Sequence, residues 1–400
     1  MRTESIDLVV ANICEAFWRF LSEYADQTCF HELLEAEYSL GERGLFWLGD
    51  KKIIVTARRM ATLDILQQRR IYRDVTVVTP LWRSHSLCRD LIADLNKLEE
   101  LVQFCDKYGS VNLRAYAVTP ELVQLVEVLR KRHVRLKTPE VSSRRGMEVA
   151  AAFDTKAGFR KGIAGLQARG ESLRFPRGFT CQSPSTAATR ALRLLSFGTD
   201  CVCKPNLGES GLGILRLSAK EPLSILSAVA RIAASPGFGT QPIIVEEAIQ
   251  PRIDADGATM SPSVEVYIDC HGSSRVTYVC NQLLTQEGQF EGIVIGDGIL
   301  PLNVEKEIRA MTHVVAKHLA ENGYRGVFDA DFIVDQNQQS YIVEINTRRT
   351  GGTHAHDLAT YLLGAEYSRS WVVVSRDNVN LKHSYHSTEN LLERSGDLIR

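Results

Sequence analysis

The sequence predicts an α/β chain, with a doubly wound parallel sheet in its N-terminal third and an α+β remainder built on hairpins. Three observations carry this. Short apolar runs alternate with helical segments as far as His133, and strands separated by helices imply parallel pairing. A Gly-rich turn divides two strand-like runs in 201–217, CVCKPNLGESGLGILRL. Two further strand-like runs flank a polar turn, 335–340, within 327–354, VFDADFIVDQNQQSYIVEINTRRTGGTH.

The elements follow in chain order. Residues 1–20 read as an amphipathic helix with Leu8, Ile13, Ala16, Phe17 and Phe20 as its apolar stripe. Acidic residues there, and the lack of an apolar signal core or cleavage site, argue against a signal peptide. Residues 53–57 and 75–80 read as short buried strands with a helix, TLDILQQRR, between them. Residues 89–109 read as one long helix with a Gly stop. VNLRAYAV is a strand, and Thr119 then caps a helix that Pro120 opens. No Gly-rich turn follows 53–57, so this sheet is not expected to bind a nucleotide. The polar, basic stretch 135–150 reads as a linker. RALRLLSF is a helix of a small lid-supporting unit, and VEKEIRAMTHVVAKHLAENG is a long helix packed on the last sheet. Its His313 and His318 read as surface or packing residues. The division expected is 1–140, 141–250 and 251–400.

The hairpin of 327–354 carries the chemistry. Alternate strand residues share a face. Asp329 and Asp331 therefore face one way on the first run, and Glu344, Asn346 and Arg348 on the second. Pairing brings three carboxylates, an amide oxygen and a guanidinium together. Like charges that close repel unless a cation joins them. Mg²⁺ takes carboxylates together with nucleotide phosphates, and the planar fork of an Arg suits a phosphoryl or acyl-phosphate oxygen. The plain alternative is an acidic hairpin facing water. In 201–217, Lys204 ends the first strand, and Gly208, Ser210, Gly211 and Gly213 form a loop whose N–H groups can approach phosphate oxygens. The loop lacks the Gly-Lys-Ser/Thr ending of a P-loop and the helix that opens after a dinucleotide fingerprint. An ordinary Gly-rich hairpin would read the same way.

Together these two segments resemble the ATP-grasp superfamily over roughly 153–354, half the chain. The resemblance implies an N-terminal Rossmann-like pre-ATP-grasp domain followed by an ATP-grasp fold with a Gly-rich flap. It implies ATP and Mg²⁺ as cofactors, two ions of Mg²⁺ with Mn²⁺ as an alternative. Asp331, Glu344 and Asn346 match the metal ligands, and Arg348 the catalytic arginine facing the transferred phosphoryl group. Lys204 matches the strand lysine on the α/β phosphates, and Lys156 in FDTKAGF the earlier nucleotide lysine. VEEAI resembles the hinge strand that reads adenine: Glu246 would accept from the adenine amino group, and the backbone about Glu247, Ala248 and Ile249 would pair the ring. The chain departs from the pattern at the ribose site, where Ser261 stands in place of an acid and Glu265 lies further on. EINTRRTGGTHAHDLATYLLGAEY, SPSVEV and QFEGIVIG are also similar to the pheganomycin-type peptide ligases.

The implied activity is an ATP-dependent carboxylate–amine ligase acting through an acyl phosphate, with small carboxylic acids and amines or peptides as substrates. A carboxylase, a carboxylate kinase and a non-catalytic ATP-binding module are the alternatives. Net charge is −1, which gives no nucleic-acid surface. No run has the length of a membrane span. The 9 cysteines show no zinc spacing and read as reduced packing residues of a cytoplasmic protein, with a reactive thiol at Cys201 or Cys203 as the other reading. A homodimer is compatible with this class. Arg349 reads either as a carboxylate-binding or as a structural residue. His354 and His356 read as substrate-orienting residues, as a base, or as caps of the next helix.

Overall fold

A computed structural model describes residues 4–377, except 24–26, 50, 82–83, 209–210, 212, 222, 236–237, 239–241, 255–256 and 287. The first sheet begins with β1 (Ser5–Val10), α1 (Ile13–Glu23), α2 (Gln27–Leu40) and β2 (Lys51–Val55). It continues through α3 (Ala61–Gln68), β3 (Asp74–Val78), α4 (Leu87–Ala93), α5 (Leu95–Asp106) and β4 (Ser110–Ala115) to α6 (Pro120–Lys131) and β5 (Leu136–Lys137). Its order is β3-β2-β1-β4-β5, and every pairing is parallel, because a helix carries the chain back after each strand.

The helix expected over 1–20 exists only from Ile13. Ser5–Val10 is instead the central strand of the sheet. Ile6, Leu8 and Val10 enter the core on one face, and Val9 enters it on the other. A strand covered on both faces shows no polar alternation, so period alone does not separate it from a helix. The helix expected over 89–109 is two helices. Asp94 interrupts it, accepting from the Leu81 N–H at 2.9 Å and, as N-cap of α5, from the Lys97 N–H at 3.1 Å. Thr119 caps α6 as the sequence indicated, accepting from the Leu122 N–H at 3.1 Å.

The stretch 135–150 is no linker. It holds β5 and the start of α7 (Arg144–Phe153), which Ser143 caps. α8 (Lys156–Ala168) follows. Phe153, Phe159 and Ile163 bury into the same core as Phe328 and Phe332 far downstream. The small sheet comprises β6 (Gly178–Cys181), α9 (Pro184–Ser196), β7 (Cys201–Pro205), β8 (Leu215–Leu217), α10 (Ile225–Ala234) and β9 (Ile243–Glu247). Its order is β6-β9-β7-β8, all antiparallel. Its own core includes Cys181, Ala187, Cys201, Cys203 and Val245. Residues of α7 and α8 share their core with the last sheet. Burial pushes the Cys201 thiol up to about 11 and the Cys203 thiol up to about 12, so both are packing groups.

The last sheet contains β10 (Pro262–Ile268), β11 (Ser274–Leu284), β12 (Phe290–Ile295), α11 (Leu302–Glu321), β13 (Gly326–Val334), β14 (Ser340–Asn346), α12 (Thr353–Leu363) and β15 (Val373–Arg376). Its order is β14-β13-β10-β11-β12-β15, antiparallel throughout. α11 covers it with Val304, Ile308, Val315 and Leu319. The N-terminal sheet is fastened to this unit by charge. Arg349 forks onto both oxygens of Glu140, each at 2.9 Å, and donates to the Ala115 carbonyl at the end of β4. Arg114 adds a contact to Glu140 at 2.9 Å. Both Arg349 and Glu140 are buried, and removing one partner of such a pair costs about 3–5 kcal/mol. No helix among the described residues is long and apolar enough to cross a membrane.

Candidate active site

The acidic hairpin forms as its alternation requires. Asp331 lies opposite Glu344, and Asp329 opposite Asn346. The register shifts between Asp331 and Phe332, so that Ile342 rather than Val343 faces Phe332. This bulge decides which residues reach the site. Ile342 and Ile345 enter the core, while Val343, Glu344 and Asn346 line a cavity of about 710 Å³. Strict alternation would have put Ile342 on the face of Glu344. Bulges re-aim side chains in this way beside functional sites.

The carboxylates are crowded. Asn346 Nδ2 donates to Asp331 Oδ2 at 2.9 Å, Gln282 Nε2 donates to Asp331 Oδ1 at 2.5 Å, and Ser263 Oγ donates to Asp329. Burial, then the charges of Asp329 and Glu344, push the Asp331 carboxyl well above its ordinary range. Burial would raise Glu344 as well. Lys156, whose Nζ donates to Glu344 Oε1 at 3.1 Å, outweighs it and holds Glu344 below the usual carboxylate range, with Lys204 and Arg348 adding to the effect. Among the described residues no group of three or more His, Cys, Asp or Glu side chains is set to hold a metal. Two carboxylates and an amide fit Mg²⁺ in a different way, because Mg²⁺ takes few protein ligands and completes its octahedron with phosphate oxygens and water.

Two lysines converge from separate elements. Lys156 is the first residue of α8, where Thr155 caps the helix; its Nζ also donates to the Gly208 carbonyl at 3.3 Å. Asn206 anchors the start of the Gly-rich turn to α8, its Oδ1 accepting from the Ala157 N–H at 2.9 Å. Gly211 has φ +78°, and a Cβ there would stand 2.8 Å from the Gly288 carbonyl oxygen. The turn therefore meets the β11–β12 loop over the cavity. Gly213 also has positive φ, +75°, and Ser210 lies outside the described residues. Lys204 pairs with Glu246, whose other oxygen lies 2.8 Å from Arg160. Both oxygens of Glu246 are thus engaged by cations, and an adenine amino group would have to compete for them. Glu247 faces the other way and is held by Arg177 at 2.8 Å. Glu246, Glu247, Ala248 and Ile249 all border the cavity, as do Ile333 and Val343.

Arg348 and Arg349 are neighbours with different duties. Arg349 is the buried structural clamp described above. Arg348 lines the cavity, its guanidinium 4.6 Å from the centroid of the Phe17 ring and 6.0 Å from that of Tyr116. Those rings come from the N-terminal part of the chain and hold the cation by their faces. His354 and His356 sit inside α12 and cap nothing; the N-cap is Gly352. Burial, with Arg43 adding, drives His354 down to about 3, too low for a base near neutrality. His356 shares a hydrogen bond with the Tyr367 hydroxyl at 3.0 Å. Ser261 donates to the Phe332 carbonyl at 3.1 Å, and Glu265 is enclosed by Thr277, Tyr278 and Thr353, so Glu265 is not turned to a ribose. The residues that sequence reasoning missed are Ser263, Gln282, Arg160, Phe17 and Tyr116. Only Ser263 lies in a quoted motif, SPSVEV, and each joins the site from an element other than the acidic hairpin.

No protein-family model matches the chain, and no curated protein matches it in sequence. Its structure is similar to a biotin carboxylase from Campylobacter jejuni in a β,γ-ATP complex, at 18% identity and TM-score 0.53, over 90% of this chain and 69% of that one. It is also similar to the biotin carboxylase domain of the Hydrogenobacter thermophilus 2-oxoglutarate carboxylase, in complex with MgADP, ADP and bicarbonate. That likeness has 14% identity and TM-score 0.51, over 90% of this chain and 68% of that one. An ATP-grasp superfamily protein from Archaeoglobus fulgidus aligns at 15% identity and TM-score 0.50 over 96% of each chain. These likenesses are of fold: the chain has the ATP-grasp fold behind an N-terminal α/β unit.

Proposed function

We propose that this chain is an ATP-dependent carboxylate–amine ligase that forms an amide or peptide bond through an acyl phosphate, releasing ADP and phosphate. The observation that carries the reading is the convergence of Lys156, Lys204, Asp331, Glu344, Asn346 and Arg348 on one cavity. Binding alone does not require an arginine beside the carboxylate cluster.

ATP would lie between the two hairpins, with its ring against Ile333, Val343 and the backbone of residues 247–249. Lys156 and Lys204 would neutralise its phosphates, and Lys204 would exchange part of its contact with Glu246 to do so. Asp331, Glu344 and Asn346 would hold Mg²⁺, which supplies charge neutralisation between the phosphates and this acidic cluster. A substrate carboxylate attacks the γ-phosphorus, and ADP leaves. Arg348, steadied on Phe17 and Tyr116, binds the transferred phosphoryl group and the oxyanion that forms when the amine attacks. The Gly211–Gly288 contact would keep water from the acyl phosphate. The finer reading is a peptide ligase of the pheganomycin type, working in a biosynthetic pathway.

The test is ADP release over paired acids and amines, with hydroxylamine as a trap. The ligase reading expects hydroxamate only with acid, ATP and Mg²⁺ together. ADP released without any amine would favour a carboxylate kinase, and ADP release dependent on bicarbonate a carboxylase. Release of AMP would overturn the acyl phosphate. Tight ATP binding with no turnover for any pair would favour a binding module.

A further inference from the structure

Part of the cavity's lining lies outside the nucleotide and metal residues. This wall belongs to the N-terminal part of the chain and to the far edge of the last sheet. Phe17, Leu40, Tyr116 and Phe290 are its apolar faces, and Arg43, Asp377 and the buried Glu37 bring charge to it. Arg43 Nη2 lies 2.7 Å from Asp377 Oδ2, and the two side chains are only 16% and 28% exposed. The pair also stands next to the reacting end. A Cβ on Gly351 would lie 2.9 Å from Phe290 Cζ and 3.9 Å from Arg43 Nη1, and Gly351 follows Arg348 by three residues.

An ion pair in a cavity wall has lost much of its hydration. A ligand with one charge that enters such a wall satisfies one partner and strips the other of its counter-ion, which is costly. A ligand with both charges, a short distance apart, can meet both partners at once. Apolar and aromatic faces around the pair then favour an apolar substituent on that ligand.

We infer that this end of the cavity is a subsite for a free α-amino acid with an apolar side chain, its carboxylate on Arg43 and its ammonium on Asp377. This rests on the ligase reading, in which the amino acid is the amine substrate and Asp377 takes the proton that its ammonium must lose before the nitrogen attacks. Arg43 and Asp377 set the choice of substrate, and Arg348 remains the residue that meets the phosphoryl group.

The experiment is titration calorimetry on the full chain with Mg²⁺ and a non-hydrolysable ATP analogue. The probes are L-phenylalanine, L-phenylalaninamide, which lacks the carboxylate, and 3-phenylpropionate, which lacks the ammonium. L-phenylalanine should bind at least about tenfold more tightly than either, as expected for hydrogen bonds to charged groups. Arg43→Gln should erase the preference over the amide. Asp377→Asn should erase the preference over the propionate. Affinity for the ATP analogue should stay within about twofold in both variants, which shows that each is folded. Equal binding of the three probes, no binding of L-phenylalanine, or preferences that survive both substitutions would overturn the subsite. If one variant fails to fold, the wild-type ratios and the other variant decide. Because the readout is binding, its failure leaves the ligase reading standing. Absence of ADP release with every acid–amine pair would instead sink that reading and leave these ratios unaltered.

Discussion

Two hairpins face each other across the cavity, and they are held in opposite ways. β13 and β14 pair at six positions, and Asp335 closes their turn by accepting from the Asn337 and Gln339 N–H groups at 2.9 and 2.8 Å. Phe328, Phe332, Ile342 and Ile345 pin that hairpin into the largest core. β7 and β8 pair at three positions. The Gly-rich turn between them is tied by polar contacts, from Lys156 to Gly208 and from Asn206 to Ala157, and by the approach of Gly211 to Gly288. The difference follows from the charges each presents. Carboxylates that repel one another stay close only on a scaffold that a core makes rigid. The Gly-rich turn brings no carboxylates together, so it requires no such scaffold.

Glu344→Gln is the strongest attack on the rigid side. The amide keeps the shape and removes the anion, so ADP release should fall to background while the melting temperature stays within a few degrees of wild type. Turnover near wild type at saturating Mg²⁺ would remove Glu344 from the metal site.

Arg348→Lys comes next. Lysine keeps the charge and loses the planar fork, so kcat should fall on the order of ten- to a thousandfold while KM for ATP changes little. Steady-state kinetics with ATP varied decides. A rise in KM alone would make Arg348 a ground-state binder.

Gly211→Ala tests the loosely held side. A methyl group there meets the Gly288 oxygen at 2.8 Å, on a backbone with φ +78°, which costs about 1 kcal/mol or more. The apparent affinity for ATP should drop roughly fivefold to tenfold, as 1–1.4 kcal/mol requires, with no loss of thermal stability beyond a few degrees. An unchanged affinity would mean that the turn closes without touching the β11–β12 loop.

A pH profile sharpens the comparison from behind the acidic hairpin. Glu265 on β10 lies opposite Asp329. Burial, against the hydrogen bond from Thr353, pushes it up to about 8. A carboxyl whose folded value is raised holds its proton in the native state after the unfolded chain has lost it. Its contribution to stability is therefore fullest in acid and declines as pH rises from about 4.5 to about 8. Glu265→Gln should flatten the fall of stability over that window, by no more than about 1.4 kcal/mol per pH unit. Denaturant midpoints measured from pH 5 to 8 on both proteins would show it, and parallel profiles would count against a protonated Glu265.

Legibility in the sequence followed how local each decision was. Thr119 and Pro120 opened α6 as written, because a cap and a proline act within one turn. The faces of Asp329, Asp331, Glu344 and Asn346 came from strand alternation, although the bulge at Phe332 was needed to send Ile342 inward. Ser5–Val10 is not legible as a strand because both of its faces are buried, and Asp94 divides a helix whose apolar pattern runs on through it. Arg349 was ambiguous until Glu140 arrived from a stretch that read as linker.

By itself, the sequence determined the chemistry on each hairpin: which residues carry charge, which glycines can bend, and which strands alternate. These are properties of a few neighbouring residues, and they persist wherever the segment is placed. Only the tertiary structure decided the partners. It set Lys156 against Glu344, Arg348 against Phe17, and Arg43 against Asp377. Such contacts join residues more than a hundred positions apart. They exist because three sheets and their cores bring those elements to one cavity, and no local pattern in the chain records that meeting.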